Sequence, residues 1–167
     1  MKKLFLALLL VAPVLFASCS KEETTIKGID PLANIQFDKR LPVTANELIK
    51  YEVMRTLDNG KYEYIVFKQN VAGVLTTDLN NKPLTYVYCK QWGISGENLE
   101  FIPENGSAVT YTCNKVYTKL SDVSYSIKVY LKDKNTGKEA AYDVVDDGSN
   151  HTIAGEIWNV IETSRNQ

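Results

Sequence analysis

The chain has 167 residues, 44% of them hydrophobic, with 19 basic and 20 acidic side chains and a formal net charge of −1. That balance, without a block of like charge, gives no electrostatic footprint for nucleic acid, and the apolar fraction excludes an intrinsically disordered chain. The length suits one domain of ordinary size and leaves little room for two.

The first element is a leader. Lys2 and Lys3 precede an apolar run over residues 4–16, and the small residues Ala17 and Ser18 stand directly before Cys19. A charged start, a short apolar stretch and small residues at the cut are the requirements of a secretory signal. The run is too short to span a bilayer, which takes about 20 apolar residues, and Pro13 interrupts it. Signal and cysteine together resemble the precursor of a bacterial lipoprotein. The resemblance implies removal of residues 1–18, acylation of Cys19 and attachment to the outer membrane. Two acyl signals already give stable anchoring, so the implied partner is the membrane itself. The sequence Ser20-Lys21-Glu22-Glu23 is similar to the surface-export signal of Bacteroidota lipoproteins and equally to the start of a solvated linker. Residues 19–31 lack periodicity and contain Gly28 and Pro31, which reads as a flexible tether with a reach of about 20 Å.

From residue 32 to 167 the chain reads as one β-rich domain. Residues 49–57 and 62–67 alternate around Asp58-Asn59-Gly60, a hairpin signature. Thr44-Ala45-Asn46-Glu47 fits a capping box, and Leu48, Ile49, Val53 and Leu57 also form a helical stripe, so a helix near residues 45–58 competes with the first strand. Further strands are expected at residues 71–77, 84–92, 98–102, 108–117, 124–131 and 138–145, each bounded by turn residues such as Asp78-Leu79-Asn80-Asn81 or Asn135-Thr136-Gly137. The Ile, Trp and Val content of residues 153–161 favours a strand there too. So many short strands with short connections predict an all-β, antiparallel fold. The expectation is an immunoglobulin-like β-sandwich; a closed β-barrel and an α+β arrangement are the alternatives.

If Cys19 carries lipid, Cys89 and Cys113 remain in a compartment that permits disulfides. A bridge between them would stabilise by roughly 3.5 kcal/mol on the chain-entropy model; two separate buried thiols are the other reading.

Little in the chain announces chemistry. His151 is the only histidine, and no phosphate-binding glycine loop, H-E-x-x-H or nucleophile elbow occurs. Asp143, Asp146, Asp147, Asn150 and His151 surround Gly148 and could offer oxygens to Ca²⁺, but these are the residue types of any solvated turn. No catalytic residue, metal site or cofactor is assigned, and the expectation is that the chain is not an enzyme. Trp92 and Trp158, with Tyr86, Tyr88 and Tyr117, are candidates for an aromatic platform against sugar rings, although half-buried sheets use aromatics anyway. The functional expectation is a lipid-anchored, non-enzymatic binding or scaffolding module for a glycan or an envelope protein. A lipocalin-like barrel carrying a small apolar ligand is the alternative, and a small envelope enzyme is third.

Overall fold

The computed structural model describes residues 32–146 and 152–166. The leader, Cys19 and the tether lie outside the described residues, as do Asp147, Asn150 and His151 of the oxygen-rich turn.

A two-residue strand, β1 (Leu41–Pro42), leads into a short helix, α1 (Ala45–Lys50). The capping box forms as its residues require: the Glu47 amide donates to Thr44 Oγ1 at 3.3 Å, and the Thr44 amide donates to Glu47 Oε2 at 2.9 Å. Helix and strand readings of this region are both correct, each for its own half. The cap commits one and a half turns, and at Tyr51 the backbone becomes extended. Period-two alternation then takes over in β2 (Glu52–Thr56).

Seven strands follow: β3 (Tyr62–Phe67), β4 (Ala72–Thr77), β5 (Pro83–Ser95), β6 (Asn98–Pro103), β7 (Val109–Lys119), β8 (Tyr125–Asp133) and β9 (Glu139–Asp146). Every one of these strands from β2 onward pairs antiparallel with its successor, and β9 pairs back onto β2, Val53 opposite Val144. The result is a closed eight-stranded up-and-down barrel. β1 adds to the free edge of β7 beyond the end of β6, Leu41 opposite Lys115. The β2–β3 turn shows why such connections hold: Gly60 takes φ 73°, open to glycine without strain, and the Leu57 amide reaches Lys61 O at 2.8 Å.

The barrel corrects the expected sandwich. Connections of two to five residues between successive strands allow only nearest neighbours to pair, whereas a Greek-key sandwich needs strands that cross between sheets. Register shifts at Glu52/Val53, Thr76/Thr77 and Cys89/Gln91 bend the sheet, and bending of that kind lets a sheet close and lose its edges.

Alternation assigns the two faces. Val53, Ile65, Phe67, Trp92, Leu99, Phe101, Val129 and Leu131 point inward into one buried cluster, which Leu48 of α1 joins from one end. On the outside, Tyr64, Val66 and Leu75 form a second apolar patch covered by a C-terminal helix, α2 (Thr152–Arg165).

Helix α2 corrects the strand expected at residues 153–161. Ile157, Trp158 and Ile161 are buried while Glu156, Asn159 and Glu162 are exposed, which is helical spacing. Closure by β9 and the seating of β1 on β7 take up the strand edges near the barrel ends, and the outer patch of β3 and β4 needs a cover. Gly73 permits the close approach: a Cβ there would collide with Ile161 Cδ1 and lie 3.4 Å from Trp158 Cζ3.

Candidate functional site

The two ends of the barrel are filled differently. At the α1 end, Phe67 packs against Trp92 with ring centroids 4.8 Å apart and against Phe101 at 5.7 Å. Trp92 Nε1 donates to Lys68 O in the β3–β4 turn at 2.7 Å. Glu47 fixes α1 over this end through an ion pair with Lys115, a largely buried lysine on β7. Burial opposes the Glu47 charge, yet the hydrogen bonds from Lys115 and from Thr44, with the Lys115 charge, outweigh it and hold the carboxyl below its ordinary value.

At the opposite end, where the turns after β2, β4, β6 and β8 gather, the interior is open. A cavity of about 580 Å³ reaches down to Phe101 and is walled by Ile65, Val74, Cys89 and Leu131, within the size range of small-ligand sites. The void follows from residue size. The rings of Phe67, Trp92 and Phe101 pack together at the floor, whereas Val74, Val87, Val109 and Ala140 are among the residues that line the empty part.

Three polar side chains inside the cavity form a cluster, and Asp133, Lys138 and Glu139 stand around its mouth. Arg55 and Glu63 are opposite one another in the β2–β3 register. Arg55 Nε donates to Glu63 Oε1 at 2.7 Å, Arg55 Nη2 lies 2.7 Å from the same oxygen, and the Tyr142 hydroxyl on β9 donates to it at 2.7 Å as well. The guanidinium lies 5.0 Å from the Tyr142 ring centroid. Burial, then the Glu63 charge and the hydrogen bond to it, raise the Tyr142 pKa well above the phenol range. Tyr111, also in the wall, is raised by burial and then by Asp133 and Glu63. Both phenols therefore stay neutral and keep their protons. The arrangement can enclose an apolar body and hydrogen-bond a polar head at its mouth.

Cys89 and Cys113 are separate free thiols, both buried, the second of the two readings. They sit on β5 and β7 with β6 between them, Cys89 beside Pro103 and Cys113 bonded through its amide to Glu97 O. These are opposite ends of β6, roughly 20 Å apart at about 3.3 Å per residue, far beyond the reach of a disulfide. Burial pushes the Cys89 thiol up to about 11 and the Cys113 thiol up to about 12, so neither is an activated nucleophile.

The aromatic platform does not assemble either. Trp92 is part of the barrel floor, and Trp158 is carried by α2 on the outside of the wall, its Nε1 donating to Glu162 Oε1 at 2.7 Å. Tyr88 packs near Trp158, Tyr86 donates to Ser164 O at 3.2 Å, and Tyr117 packs on Tyr125. Of the oxygen-rich turn, Asp143 pairs with Lys128 at 2.8 Å. Among the described residues no group of three or more His, Cys, Asp or Glu converges as a metal site.

Arg55, Glu63 and Tyr142 escape sequence reading by motif, yet a signal for the first two exists. Each continues the apolar face of its strand, after Tyr51 and Val53 or before Ile65 and Phe67, and the Asp58-Asn59-Gly60 turn brings the opposite charges level. In comparisons with protein-family models, curated proteins and solved structures, nothing matches this chain.

Proposed function

We propose that this chain is a lipid-anchored protein of the bacterial cell envelope whose barrel carries a small apolar molecule. One observation supports the carrier reading over the display of a glycan or protein partner: a barrel end left empty to about 580 Å³, with a hydrogen-bonded Arg55–Glu63–Tyr142 cluster in its wall. Preformed, mainly apolar cavities with a few convergent polar groups are the usual form of a small-ligand site. The display reading loses its support where Trp92 and Trp158 are consumed by packing. Anchoring rests on Cys19 and the leader before it. It predicts incorporation of labelled palmitate that Cys19→Ala abolishes.

The carrier reading is tested with N-phenyl-1-naphthylamine, a neutral apolar fluorophore. The expected result is a saturable one-to-one rise in emission, removed by Val87→Trp, because Val87 lines the cavity yet is 46% exposed and tolerates a larger side chain. Emission that never saturates, or that a folded Val87→Trp variant leaves intact, overturns it.

A further inference from the structure

The charged groups around the cavity mouth are unevenly used. The Nε and Nη2 of Arg55 both turn to Glu63 Oε1, which also accepts from Tyr142. Glu139 is held by Arg40 at 2.8 Å, and the Asp133 carboxylate caps its own turn, accepting from the Asn135 and Thr136 amides at 2.8 Å each. Lys138 stands exposed at the rim. Among the less exposed carboxylates here, Glu63 Oε2 stands apart. Its side chain is only 18% exposed, and no described residue donates to this oxygen.

A carboxylate oxygen in a partly dry cavity calls for a hydrogen-bond donor, and such charge-assisted bonds are among the stronger ones. An anionic head, a fatty-acid carboxylate for example, has no proton to offer and would face the Glu63 charge while Arg55 is already engaged. A cationic head would lie beside the Arg55 guanidinium. A neutral donor meets neither repulsion, and the Tyr111 hydroxyl in the same wall makes no hydrogen bond to a described residue and can answer its oxygen.

We propose that the cavity selects an uncharged amphiphile whose head donates a hydrogen bond to Glu63, an aliphatic alcohol or primary amide, and rejects fatty acids of equal length. This rests on the carrier reading above and goes beyond it in naming the head-group chemistry.

The test displaces N-phenyl-1-naphthylamine from the full chain at neutral pH with 1-decanol, decyl methyl ether and decanoate. The ether keeps the oxygen and loses the donor, so it separates hydrogen bonding from simple apolar transfer. Decanol is expected to displace at about tenfold lower concentration than the ether, the size of one hydrogen bond to a charged group, with decanoate weakest. Glu63→Gln turns the free acceptor into an amide that donates, and should erase or reverse the preference for decanol over the ether. Decanoate or the ether displacing as well as decanol overturns the head-group assignment and leaves the carrier reading standing, whereas no uptake of the fluorophore overturns both. An unchanged ranking in a folded Glu63→Gln variant also overturns it. Should that variant fail to fold, the wild-type ranking decides, with Tyr111→Phe expected to weaken decanol and the ether alike and to leave the preference between them; loss of that preference in Tyr111→Phe overturns the assignment to Glu63.

Discussion

The closed and open ends of the barrel are made from the same strands with the same inward alternation, yet one is solid and the other hollow. Around α1, Phe67, Trp92, Leu99 and Leu48 fill the interior, and the Glu47–Lys115 ion pair pins the helix across it. Past Phe101 the wall includes the small side chains Val74, Val87, Val109 and Ala140, and Arg55, Glu63 and Tyr142 join in one hydrogen-bonded cluster. Alternation therefore decides what is inside, and side-chain volume together with a capping helix decides whether the inside is a core or a container.

That contrast can be broken most directly by truncating one residue at each end. Phe67→Ala, at a fully enclosed site, should cost about 3–5 kcal/mol, read as a lowered urea midpoint. Val87→Ala, at the hollow end, should stay within about 0.5 kcal/mol. Equal losses would mean that the two ends are packed alike.

The outer wall offers a second, smaller effect. Gly73→Ala pushes a methyl group into Ile161 and should cost about 1–3 kcal/mol as an overpacked contact, with a change in Trp158 emission reporting displacement of α2. An unaltered spectrum and midpoint would refute the close seating of that helix on β4.

Smallest is an acid effect confined to the closed end. Because the Glu47 pKa is lowered in the folded state from an ordinary 4.5, its stabilisation is complete above that value and is lost as pH falls through the lower folded value. Glu47→Gln should lower stability at neutral pH by about 1 kcal/mol and flatten this part of the stability-against-pH curve. An unaltered slope between mildly and strongly acidic solution would count against the ion pair as the fastener of α1.

Much of the fold is legible in the residues. Strands expected at 71–77, 98–102 and 124–131 occur as Ala72–Thr77, Asn98–Pro103 and Tyr125–Asp133, because period-two alternation between turn residues is a local property. The same holds for the capping box at Thr44 and Glu47. Helix α2 is misread for the complementary reason. Ile157, Trp158 and Ile161 suit a strand by propensity, and only the apolar outer face of β3 and β4, strands already paired on both sides, makes a helix the better cover. The site is half legible: Arg55 and Glu63 are opposite charges on an apolar hairpin face, whereas nothing near Tyr142 in sequence links it to them.

The sequence alone determined the strand spacing, the β-rich class and the inward set of side chains, since backbone sterics, turn chemistry and hydrophobic periodicity act over a few residues. The tertiary structure decided closure over a sandwich, the separation of Cys89 from Cys113, the burial of both tryptophans and the empty mouth of the barrel. Each of these depends on which distant strands meet, above all β9 on β2, and on how side-chain volumes sum across a ring of eight strands that no local window contains.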